Sequence, residues 1–164
     1  MRKEIELKFE VTPRDLRKLR AARVLRRKPV KEENLVSVYF DTPKHKLARN
    51  DVTLRLRHNG HNRLQTIKSG GLASSFRRGE WEHEIKGDVP DFRKARGTAL
   101  EPLLTKKLKR RLKPVFETHI HRTSVPVRKN GTRIEVALDE GQVRGTAIRS
   151  HQRARAGAQA RQAR

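Results

Sequence analysis

The sequence predicts an α+β fold in which an antiparallel sheet of about seven strands curls into a barrel, flanked by amphipathic helices. Two observations carry this reading. Charged and apolar residues alternate with period two along most of the chain, and the charges on the polar parity are of both signs. Two segments of helical spacing interrupt the alternation and are suited to cover an apolar sheet face.

Each element has its own signal. Glu4, Glu6 and Lys8 alternate with Ile5, Leu7 and Phe9, the pattern of a two-faced strand. Thr12 as N-cap, Pro13 at the first helical position and Asp15 in the first turn predict a helix to about Leu25. Strands follow at 36–41, 52–58 and 62–68, the last two joined by a turn at Asn59-Gly60. Residues 69–79 form a glycine- and serine-rich loop; its Ser69-Gly70-Gly71 lacks P-loop spacing and reads as a rim. In 80–86, Trp81, His83 and Ile85 oppose Glu80, Glu82 and Glu84. Leu100, Leu103, Leu104 and Leu108 give 92–113 a helical stripe, and strands at 115–127 and 132–139 complete the set. Residues 147–164 carry arginine, alanine and glutamine without an acid. They are expected to be a disordered basic tail behind a domain of 1–146.

Composition narrows the function. Hydrophobic residues make up 34% of the 164-residue chain and charged residues 36%, too little apolar material for a broad core, so the chain either carries disordered segments or encloses much of its charge. The net charge of +23 calls for an anionic partner, whether a phosphate compound, nucleic acid or acidic membrane, or for a solvated basic surface. The absence of cysteine excludes disulfides and thiolate metal sites. No apolar run approaches the ~20 residues of a membrane span. A soluble, cytoplasmic protein is expected.

On the charged parity lie Glu4, Glu6, Lys8, Arg55, Arg57, Glu80, Glu82, Glu84, Arg133, Glu135 and Asp139. If helices cover the apolar parity, these residues line a lumen. Carboxylates attract hard divalent cations, and arginine and lysine attract phosphate. Both together suit a metal–polyphosphate complex.

In sequence order, the residues resemble the CYTH superfamily of triphosphate tunnel metalloenzymes. The resemblance rests on Glu4-Ile5-Glu6-Leu7-Lys8, Tyr39-Phe40-Asp41-Thr42, Leu54-Arg55-Leu56-Arg57, Thr66-Ile67-Lys68, Arg78-Gly79-Glu80-Trp81-Glu82, Phe116-Glu117-Thr118, His121-Arg122-Thr123 and the 135–141 segment. It implies an eight-stranded tunnel-type barrel in which Glu4 and Glu6, joined by Glu135 and Asp139, hold Mg²⁺ or Mn²⁺. It assigns Lys8, Arg55, Arg57, Lys68 and Arg122 to the triphosphate, Arg78 to the tunnel mouth, Asp139 to metal and water, and Glu82 to orienting a neighbouring base. The implied activity is hydrolysis of a triphosphate, inorganic triphosphate foremost, ahead of thiamine or nucleoside triphosphates.

The chain departs from the family pattern in lacking a closing acidic strand after Gly141. An incomplete barrel, weak metal affinity and weak activity are therefore expected. The alternative is a non-catalytic basic protein that binds polyphosphate or nucleic acid, the latter only nonspecifically through its tail. His119 and His121 read as surface or half-buried residues rather than ligands, and Lys106 to Arg111 as a solvated helical face.

Overall fold

In the computed structural model, residues 5–26, 29–60, 62–70, 79–129, 131–145 and 153–163 are described. Side chains are described for these except at Ile5, Glu6, Lys8, Asn59, Lys129 and 153–163. The strands are β1 (Ile5–Val11), β2 (Lys31–Asp41), β3 (Val52–Asn59), β4 (Asn62–Ser69), β5 (Gly79–Glu84), β6 (Lys113–Lys129), β7 (Thr132–Gly145) and β8 (Arg153–Ala163). Two α-helices, α1 (Pro13–Ala21) and α2 (Lys106–Arg111), accompany them. Hydrogen-bonded neighbours follow the order β1-β8-β7-β6-β2-β3-β4-β5, so β1 and β5 end the series. The pairs β1–β8, β2–β3, β3–β4 and β4–β5 are antiparallel.

The chain divides into two compact units. One comprises 36–118 and 143–151, the other 1–35, 119–142 and 152–164. In the first, registry alone sorts the side chains. Leu54 pairs with Phe40 and Ile67, and Ile67 with Trp81, so these share a face. That face builds a core with Leu47, Val52, Leu56, Ala95, Leu100 and Leu108, and Trp81 and Ile85 pack against it. The period-two expectation holds here, and Trp81 anchors apolar packing.

The other unit has a separate core of Leu16, Leu25, Val125, Val127 and Leu138. Leu16 comes from α1, which starts as expected: the Thr12 hydroxyl accepts from the Asp15 amide at 3.2 Å, and Pro13 opens the helix. Gly141 lets β7 pass against the His119 carbonyl, where a Cβ would collide.

Three expectations are corrected. First, α1 stops at Ala21, and Leu25 reaches the core from the turn that follows. Arg17, Arg20 and Arg23, spaced three apart, repel one another along a longer helix. Second, 92–113 is not one helix but 3-10 turns at Phe92–Ala95 and Glu101–Leu103 followed by α2. Gly97 at φ +71° breaks the run, and Thr105 starts α2 afresh by accepting from the Leu108 amide. Leu100 and Leu108 still reach one core, because successive short turns can satisfy the same spacing.

Third, Arg153–Ala163 is a strand paired with β1, where a disordered tail was expected. The backbone of β1 supplies the partners, and strand pairing needs no apolar side chains for its hydrogen bonds. Leu7 and Phe9 of β1 are more than half exposed, so the apolar parity of this strand is not covered as the alternation suggested.

Leu54 is fully buried at the centre of its core. Leu54→Ala should lower unfolding stability by about 3 kcal/mol, whereas Val89→Ala, at an exposed site, should change it by less than about 0.5 kcal/mol. Urea denaturation of the two variants measures both.

Candidate functional site

The polar face of the first unit is fixed by strand registry. Arg55 on β3 pairs with Tyr39 on β2 and Thr66 on β4; Thr66 pairs with Glu82 on β5, and Lys68 with Glu80. Paired residues in an antiparallel ladder point the same way. Tyr39, Arg55, Arg57, Thr66, Lys68, Glu80, Glu82 and Glu84 therefore share one face, on the side of the sheet opposite to Leu54 and Ile67.

Arg55 is the deepest charge there, its side chain only 11% exposed. Its Nη2 donates to Thr66 Oγ1 at 3.1 Å, and that hydroxyl donates onward to Glu82 Oε1 at 3.0 Å. Glu82 also lies 3.7 Å from the guanidinium. The Arg55 Nε is buried without a hydrogen-bond partner among the described residues. An orphaned donor at such depth is unfavourable unless some acceptor meets it. Lys68 Nζ sits 2.7 Å from Glu80 Oε1, and both side chains remain substantially exposed. Arg57 is half-buried on the same face. Tyr39 stacks on Phe116 with ring centroids 4.3 Å apart, an apolar wall beside Arg55 that the sequence reading treated only as motif residues.

In the other unit, Arg122 and Asp139 form a bidentate pair: Nε reaches Oδ1 and Nη2 reaches Oδ2, each at 2.7 Å. The Asp139 hydrogen bonds raise the Arg122 pKa above its ordinary value against the opposing effect of burial, and the charges of Asp139, Glu135 and Glu33 add to the rise. Glu33, which the sequence reading passed over, thus belongs to the acidic surroundings of Arg122. Its signal was weak, because Lys31-Glu32-Glu33-Asn34 lacks alternation. His121 Nδ1 lies 3.0 Å from Asn34 Oδ1.

The remaining candidates are less placed. Glu4 and Arg78 lie outside the described residues, as do the side chains of Glu6 and Lys8. Registry does set Glu6 opposite Arg161 and Lys8 opposite Gln159.

A divalent metal can be tested against the donors present. Among the described residues no group of three or more histidine, aspartate or glutamate side chains is arranged to hold one. Both Asp139 oxygens accept from Arg122, and Glu82 accepts from Thr66. These donors do not by themselves fit a metal.

The CYTH domain profile matches residues 2–148. The chain belongs to the CYTH family. A curated relative, the inorganic triphosphatase of Haemophilus influenzae, is 29% identical over 87% of this chain and 41% of its own length. The chain thus spans about two-fifths of that relative. A Hippeastrum protein, HpAC1, whose structure is described as revealing a dominant triphosphatase activity, aligns over 98% of this chain and 79% of its own. Its TM-score is 0.62 at 16% identity. PH1819 of Pyrococcus horikoshii covers 96% and 77%, with a TM-score of 0.55 at 18% identity. At these identities the solved structures establish the fold alone.

The Arg122–Asp139 pair is partly buried, with side chains 20% and 25% exposed. A double-mutant cycle of Arg122→Ala and Asp139→Ala should give a coupling energy of about 1 to 3 kcal/mol. Urea denaturation of the four proteins reads it, and additivity would show that the pair does not hold the strands.

Proposed function

We propose that this CYTH chain acts on a triphosphate, and that the reaction is hydrolysis of inorganic triphosphate by water to diphosphate and phosphate. The observation that carries the reading is Arg55: a guanidinium almost out of water, with a donor to spare, beside Arg57 and Lys68 on one sheet face. The Haemophilus influenzae relative adds support for the substrate.

The chemistry follows from charge. Water attack on phosphorus is opposed by the negative oxygens around it, and fixed cations relieve that repulsion as charge moves to the leaving diphosphate. Arg55 and Arg57 would grip phosphate oxygens, and Lys68 would exchange its contact with Glu80 for one to the substrate. Thr66 and Glu82 would hold the Arg55 guanidinium in orientation, which makes Glu82 a positioning residue. The resemblance adds Lys8, Arg78 and Arg122 as further phosphate contacts.

Mg²⁺ or Mn²⁺ dependence is part of the proposal, assigned to Glu4 and Glu6 with support from Glu135 and Asp139. The donors among the described residues do not make that site. The strand beside β1 brings no carboxylate, and it sets Arg161 opposite Glu6. Metal affinity and turnover should both be low for a family member.

Phosphate release from inorganic triphosphate, with Mg²⁺ or Mn²⁺ and with chelator, tests the reading. Release should be measurable with metal and absent with chelator. Lys68→Ala should lower it about 100-fold, corresponding to about 3 kcal/mol of lost transition-state stabilisation. No release with either metal, together with undiminished triphosphate binding, would favour the non-catalytic polyphosphate-binding alternative.

A further inference from the structure

A second concentration of positive charge lies on the other side of the sheet in the same unit. There, a cavity of about 310 Å³ is bounded by the connection between β2 and β3 and by α2. Lys44, Lys46, Arg49, Lys107 and Arg111 line it, and no acidic residue does among the described residues. None of the five makes an ion pair among the described residues. Leu108 forms part of the lining and also belongs to the core with Leu54 and Ile67, which places the cavity away from the Arg55 face.

The scaffold beneath these cations is rigid. The buried Asp41 carboxylate accepts from three backbone amides of the connection: Thr42 at 2.6 Å, Leu47 at 2.8 Å and Ala48 at 3.0 Å. Thr42 Oγ1 accepts from the Lys46 amide at 3.0 Å, and Leu47 is locked in the core. Asp41 is thus committed to holding the loop and is not a counter-ion at the cavity. Five like charges kept together on a fixed frame repel one another, and an anion bound among them removes that repulsion.

We propose that this cavity binds a compact inorganic oligophosphate, of which diphosphate is the smallest, as the metal-free anion. Its lining selects this ligand class in two ways. The absence of carboxylate leaves nothing to share a divalent cation, so the bare anion is favoured over its metal complex. The absence of aromatic side chains from the lining, among the described residues, denies a nucleobase a stacking surface, so a single-stranded nucleic acid gains only its phosphate contacts. The site stands independently of the triphosphatase reading, since it uses none of the same residues.

Isothermal titration of the full chain with sodium diphosphate, in chelator and at low salt, tests the proposal. Saturable binding should occur without metal. Arg49→Glu/Lys107→Glu should weaken it by about tenfold or more, and the milder Arg49→Gln/Lys107→Gln by less. Arg14→Glu/Arg17→Glu, the same charge change placed on α1, should leave it within about twofold. Excess Mg²⁺ should weaken binding by sequestering the anion. Equal losses in the two charge-reversed pairs would reduce the effect to net charge and overturn the proposal. So would no metal-free binding, or tighter binding of an oligouridylate through Arg49 and Lys107.

Discussion

A guanidinium cannot shed its charge, so a chain that buries one must supply acceptors at the depth where it lies. Arg55 sets that constraint for the unit it occupies. Its neighbours across the sheet meet it in part: Thr66 accepts from Nη2, and Glu82 supplies the countercharge through the same hydroxyl. Among the described residues the Nε has no acceptor. A half-matched cation is a poor stabilising device. It is well suited to an anion that arrives, binds and leaves.

Burying Arg55 on one side of β3 is possible only because the other side is strongly apolar. Leu54 and Leu56, the chain neighbours of Arg55, are sealed in a core closed by Leu100 and by Leu108 of α2. The same packing locks Leu47, which with Asp41 holds the connection bearing Lys44, Lys46 and Arg49. Both concentrations of positive charge in this unit therefore lean on one hydrophobic layer from opposite sides. The Arg122–Asp139 pair belongs to the other unit and differs in kind: its charges are matched atom for atom. Two of the five N–H donors of Arg122 go to Asp139, so a phosphate contact would use the others.

Much of this was legible in the sequence wherever side-chain type and period agreed. Leu54-Arg55-Leu56-Arg57 announces two faces because leucine and arginine partition so differently, and Glu80-Trp81-Glu82 repeats the message. Partners were not legible. That Thr66 links Arg55 to Glu82 follows from registry across three strands, and alternation along one strand does not reveal registry. The pairing of Arg122 with Asp139 was hidden for the same reason. The segment 92–113 misled because turns broken at Gly97 can deliver leucines as a continuous helix does. β8 was missed because alanine is a poor strand former. Yet Ala154, Ala156, Ala158 and Ala160 alternate with larger polar residues or glycine, a period-two signal masked by low hydrophobicity.

The side-chain Nε–H resonance of Arg55, followed by NMR as inorganic triphosphate is added, tests the central claim most directly. A donor without a partner should shift progressively and saturably as phosphate oxygen reaches it. Should triphosphate bind while the Arg55 signal stays in place, the buried guanidinium is not its receptor and the functional reading fails.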